Sequence, residues 1–132
     1  MTNEIKKENW KEFFDQLSRE KLGWETVVQV LADETGAQVL DRGLPLVGLI
    51  FEETPTGSRI ELIIGSGVGN HHTHTINDPK YIAFEGPGER SEGTLDIEDE
   101  SGTKTLIRFS QTLPAVVTYS ETEVISTVSN GT

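Results

Sequence analysis

All three histidines of this 132-residue chain fall within four positions, in the stretch Gly65-Ser66-Gly67-Val68-Gly69-Asn70-His71-His72-Thr73-His74-Thr75-Ile76-Asn77-Asp78. If Thr73 to Ile76 is extended, His72 and His74 project to the same face. That spacing lets two imidazoles chelate one ion, with Asp78 as a carboxylate ligand. Such a site needs further ligands, and without cysteine the chain can supply only carboxylates from elsewhere. The competing and preferred reading is a glycine-rich loop ending in a polar, partly exposed edge strand where histidine is tolerated.

The His-x-His pair resembles the first motif of cupins, in which Glu and then Gly follow. Asp78 would stand for the Glu, Gly86 falls one residue late, and no histidine follows His74 to build a second motif. The glycines at 65, 67 and 69 follow a strand-like segment, as phosphate-binding loops do. No helix signal and no Gly-Lys-Ser/Thr comes after them, so no helix N-terminus is offered to a phosphate; a hairpin loop is expected. Asp96, Glu98, Asp99 and Glu100 form the densest acidic run. Counted from Asp96, Ser101 holds the place where a calcium loop needs glycine, and nothing in the pattern sets the pKa of Asp96 apart from that of Glu98. A solvated hairpin end is expected there. No serine lies in a Gly-x-Ser-x-Gly elbow, and no catalytic residue or cofactor-binding set emerges.

The elements that would carry these residues are one helix and a series of strands. Trp10, Phe13, Phe14 and Leu17 recur at helical spacing and predict an amphipathic helix over 9–22, with Asn9 and Glu12 as a capping-box-like start and Gly23 as its stop. After Gly23 the period becomes two. Residues 26–31, 46–53, 59–64, 81–85, 93–99 and 104–109 read as strands, separated by turn signals such as Thr54-Pro55-Thr56-Gly57-Ser58 and Glu100-Ser101-Gly102. Ile60, Leu62 and Ile64, like Leu95 and Ile97, alternate with other residues so that one face is apolar. Leu46 to Phe51 is apolar on both faces and predicts a central strand crossed by the helix. Short spacers favour hairpins. The expected fold is α+β, the helix followed by an antiparallel, strongly bent sheet or partial barrel of six to eight strands over 25–110.

The chain carries 11 basic and 22 acidic side chains, a formal charge of −11. Residues 1–24 balance five of each sign, so the whole excess lies beyond the helix. A surface of that sign repels phosphate backbones and anionic lipid, which excludes nucleic acid and membrane as expected partners. No signal peptide or spanning segment is read, and a cytoplasmic setting is expected. Residues 111–132 lack Lys and Arg and are rich in Ser and Thr; they form either one or two extra strands or a flexible tail, apart from the single domain at 1–110.

Glu8-Asn9-Trp10-Lys11-Glu12-Phe13-Phe14-Asp15-Gln16-Leu17-Ser18-Arg19, Leu44-Pro45-Leu46-Val47-Gly48-Leu49, His74-Thr75-Ile76-Asn77-Asp78-Pro79-Lys80-Tyr81-Ile82 and Leu106-Ile107-Arg108-Phe109 together resemble a family of small bacterial proteins known only as a domain of unknown function, found in cyanobacteria and other soil or aquatic bacteria. The resemblance covers about residues 5–110. It implies a fold unit ending near Phe109 and a bacterial cytoplasmic setting, with His74, Ile76 and Pro79 in a strand-turn framework, and it implies no activity.

The functional expectation is a non-enzymatic module that offers a sheet face or edge to another protein or to itself. The alternative is a metal- or small-ligand-binding barrel built on His72, His74 and Asp78.

Overall fold

The computed structural model describes residues 2–66, 69–86 and 92–111. Eight antiparallel strands form one sheet: β1 (Thr2–Glu4), β2 (Glu25–Ala32), β3 (Gly36–Thr54), β4 (Gly57–Gly65), β5 (His71–Asn77), β6 (Pro79–Glu85), β7 (Gly93–Asp99) and β8 (Lys104–Ser110). Their order is β1-β6-β7-β8-β2-β3-β4-β5, so among the described residues β1 and β5 are the two free ends and the sheet does not close. One helix, α1 (Trp10–Glu20), follows a 3-10 turn over Lys7–Asn9. The α+β expectation and the strand count both hold. No helix among the described residues is long and apolar enough to cross a membrane.

The bend originates in β3. Its first half pairs with β2 as far as Pro45, and its second half pairs with β4 from Leu46 onward. Gly43 takes φ +84°, a conformation that costs other residues about 1–2 kcal/mol, and Pro45 has no N–H with which to continue a ladder. One strand therefore serves two sheet layers, as at the corner of an orthogonal sandwich. The other corner is Asp78, a single residue at φ 52° between β5 and β6.

Between the layers lies the core: Ile60, Leu62 and Ile64 of β4, Leu95 and Ile97 of β7, Ile107 and Phe109 of β8, all fully buried. The residues of β4 and β7 are those that alternation assigned to the apolar face; Ile107 and Phe109 add to them. The helix closes one end with Trp10, Phe14 and Leu17; Trp10 meets Phe51 edge-on at 5.5 Å between ring centres and donates its indole N–H to the Ile5 carbonyl at 2.8 Å.

The helix also covers backbone. Once β3 leaves β2, its second edge would be bare. Gly23 N–H donates to Leu46 O (2.9 Å) and Leu46 N–H to Trp24 O (2.8 Å), while Ser18 Oγ donates to Leu49 O (2.8 Å) and accepts from Leu49 N–H (3.0 Å). The prediction that the helix crosses the Leu46–Phe51 segment is met by the Ser18 bonds, while Gly23 and Trp24 belong to the connection that follows α1. Two expectations change. Asn9 makes no side-chain cap, because it is already wound into the 3-10 turn; and β3 begins at Gly36, ten residues before the predicted start at Leu46. The tail past Gln111 lies outside the described residues, as do Gly67, Val68, Pro87 and Gly88 of the two loops.

Candidate functional site

Strand β5 pairs with β4 in unbroken register, with His72 opposite Ile64, His74 opposite Leu62 and Ile76 opposite Ile60. Directly paired residues share a face. The histidines therefore point to the inner side, where those three partners are fully buried. The extended conformation required for His72 and His74 to act together is present.

The carboxylate they meet is not Asp78. It is Asp41, on the first half of β3, a residue the sequence reading did not consider. His72 Nδ1 lies 2.9 Å from Asp41 Oδ1 and His74 Nε2 lies 2.6 Å from Asp41 Oδ2. An ionised carboxylate only accepts, so both ring nitrogens carry the donated hydrogen. The Asp41 side chain is 12% exposed, that of His74 23% and that of His72 50%. Burial alone would raise the Asp41 carboxyl; the bonds from His74 and His72 and their charge outweigh it and hold the group below the usual carboxylate range.

A β-bulge aims Asp41. Val39 pairs with Gln29 and Asp41 pairs with the buried Val28, leaving Leu40 as an extra residue. With Leu40 paired in turn, Asp41 would share the outer face of Val39, two positions earlier; the bulge turns the carboxylate inward. The signal in the sequence was faint, since Ala37-Gln38-Val39-Leu40-Asp41-Arg42-Gly43 has neither clean alternation nor a turn dipeptide.

Asp78 sits at the far end of β5. Its N–H donates to Ser58 O (2.7 Å), its carbonyl accepts from Glu100 N–H (3.0 Å), and its Oδ1 accepts weakly from Ser58 N–H (3.4 Å). The structure thus gathers His72 and His74 and leaves Asp78 apart from them. Among the described residues no three histidine or acidic side chains are grouped so as to hold a metal ion; the two imidazoles bond instead to the two oxygens of Asp41.

The free edge of β5 borders a groove of about 480 Å³. Thr75, Ile76 and Asn77 form its wall, Val30 of β2 and Thr105 of β8 its opposite side, and Asp78, Asp99 and Glu100 its end. Asp99 is engaged in its own turn, where Oδ1 accepts from Ser101 N–H (2.9 Å), Ser101 Oγ (2.6 Å) and Thr103 N–H (3.1 Å). The acidic run is thus a hairpin end, as expected, with one exception. Burial raises the Asp96 carboxyl; Lys104, whose Nζ is 3.7 Å away, opposes that shift and Glu98 adds to it. Neighbouring strands shield Asp96 more than a bare sheet face would.

A second cavity, about 230 Å³, lies between α1 and β6, bounded by Phe13, Leu17 and Phe84 with Gln16, Glu20 and Lys21. Lys21 is almost wholly buried, its ammonium 3.9 Å from the centre of the Trp24 ring. Desolvation draws its pKa down, against the pull of Glu20.

Fold and site together define an open, bent antiparallel sheet, stoppered by one helix, with a free strand beside an acid-rimmed groove. The chain belongs to a family of unknown function, DUF5335, whose pattern matches residues 1–116. It is similar to an uncharacterized protein of Aquifex aeolicus (strain VF5), with 29% identity over 113 residues, 86% of this chain and 96% of the relative. No solved structure matches it.

Proposed function

We propose that this protein is a non-enzymatic docking module that binds an extended segment of a partner protein along β5, in a bacterial cytoplasm. The observation that carries this reading is the state of β5. It is a terminal strand of seven residues with no bulge, no proline and no Lys, Arg, Asp or Glu, and among the described residues its backbone pairs with β4 alone. Free edges in natural sheets are ordinarily blunted by such features, because the unpaired N–H and C=O groups template another strand. Among the described residues no strand covers this edge, and a groove runs beside it, the arrangement used in recognition by strand addition.

The metal or small-ligand alternative on His72, His74 and Asp78 has less support. The imidazoles are already bonded to Asp41, and Asp78 belongs to the other end of the strand.

The reading is tested by selecting extended peptides from a random display library and titrating a selected peptide into isotope-labelled protein. Amide shifts are expected along Thr73 to Asp78 and at Val30 and Thr105. Shifts confined to the cavity under α1, or no selected peptide at all, would reject it.

A further inference from the structure

We infer that the segment docking on β5 is basic, and that a lysine or arginine of the partner rests at the end of the groove between Asp78 and Glu100. This rests on the docking reading and adds the chemistry of the partner.

The argument is charge complementarity on a defined path. A strand laid along β5 runs past Thr75, Ile76 and Asn77 over small side chains, Val30 and Thr105, and arrives at Asp78 and Glu100. These two residues are joined by the Glu100 N–H to Asp78 carbonyl bond of 3.0 Å, so both lie at this end of the path; Asp78 Oδ1 also accepts weakly from Ser58 N–H at 3.4 Å. Both are exposed. Neither carboxylate takes part in an ion pair among the described residues; the lining described for the groove includes no Lys or Arg, and Lys7 borders the adjoining hollow that Asp78 and Glu100 also line without pairing with either. Asp99, beside them, adds charge while its own oxygen is held by Ser101 and Thr103.

The opposite chemistry is disfavoured on the same grounds. An acidic segment, including the net −11 surface of a second copy, would bring like charges to this end of the groove. The main-chain bonds of an added strand are indifferent to sequence, so the carboxylates are what selects among segments able to extend. At partly exposed sites this selectivity acts through salt-screened attraction and falls as ionic strength rises.

The test uses the full chain and fluorescein-labelled peptides of alternating threonine and valine with terminal lysines, threonines or glutamates, read by fluorescence anisotropy. A fourth peptide is the lysine form N-methylated at the alternate amides that would face β5. The lysine peptide is expected to bind about tenfold more tightly than the glutamate peptide at low salt, and the gap should narrow when added salt shortens the screening length to about 3 Å. Asp78→Asn combined with Glu100→Gln should bring the lysine peptide close to the threonine peptide. Asn tolerates the positive φ at position 78, so this variant keeps the fold, which its melting temperature checks. If the threonine peptide binds as tightly as the lysine peptide to the unmodified protein, the basic partner is rejected while strand addition stands. If the N-methylated lysine peptide binds as tightly as its parent, strand addition itself is rejected.

Discussion

His74 Nε2 stands 2.6 Å from Asp41 Oδ2, although 33 positions separate the two residues and their strands do not pair. Among the described residues the backbone ladder stops at β5, and these side chains tie the inner face of the strand to the first half of β3. Exposed pairs such as Arg59 and Glu52, each more than 40% accessible, contribute little to stability, since water screens them and their side chains lose freedom. The Asp41 carboxylate is mostly buried and accepts from both imidazoles, which places it among the stronger hydrogen-bonded groups of the molecule.

Asp41→Asn is therefore expected to cost about 1.5–3 kcal/mol at neutral pH, the range for hydrogen bonds to charged groups. The sign of the pH dependence follows from the carboxyl's lowered folded-state pKa. The bridge contributes fully above the unfolded value, about 4, and its contribution is lost as pH falls through the folded one. Urea unfolding of both proteins should show a stability gap at pH 7 that shrinks below about pH 4. A gap of constant size through that window would mean that the charge of Asp41 is not what stabilises the seam.

Deleting Leu40 probes the bulge itself. The deletion leaves Val39 opposite Gln29 and Asp41 opposite Val28 in simple alternation, so Asp41 keeps the inner face beside both histidines without the bulge. Asp41→Asn is therefore expected to cost as much in the deletion background as in the full chain. A double-mutant cycle should give additive losses, with a coupling near zero. A coupling close to the whole single-mutant effect would show that the local kink of the bulge, and not the register alone, brings the carboxylate to the imidazoles.

The parts of the fold legible in the sequence were those with a period. Trp10, Phe14 and Leu17 marked the buried stripe of α1, and Ile60, Leu62, Ile64, Leu95 and Ile97 marked the inner faces of β4 and β7, because burial on one side imposes alternation. The first half of β3 was not legible: residues 36–40 are all exposed, so no buried face patterns them, and the bulges at Leu40 and Gly43 break whatever alternation remains. The same break hid Asp41. His72 and His74 can be paired from spacing alone, but their partner comes from a strand with no readable period, and Asp78 is suggested in its place only by proximity along the chain. Lys21 was missed for another reason: a lysine after a helix reads as a solvated end, and only the Trp24 ring and the packed neighbours make it buried.

Ser18→Ala tests whether the helix acts as an edge cover as well as a core element. The substitution removes the hydroxyl that serves both Leu49 N–H and Leu49 O, leaving two backbone groups of β3 without their partner. A loss of about 1–3 kcal/mol is expected from the unsatisfied groups, although alanine favours the helix itself. Hydrogen exchange gives the specific readout, because the Leu49 amide should exchange faster while Leu62, its neighbour across β4, remains protected. Unchanged protection at Leu49 would assign the loss to packing instead.

Gly93→Ala addresses a close approach in the sheet. The ring of Phe84 lies across Gly93, and a Cβ there would overlap it and crowd the Glu85 carbonyl. Phe84 also meets Phe13 edge-on at 6.3 Å between ring centres, so a displaced ring disturbs the contact between β6 and α1. Overpacking of this kind typically costs about 1–3 kcal/mol. The cause can be isolated with Phe84→Leu, which shortens the side chain that Cβ would strike. The double variant should then lose less than the two single losses added together, a favourable coupling measured by urea unfolding. Strict additivity would place the strain on the backbone at Glu85 and not on the aromatic ring.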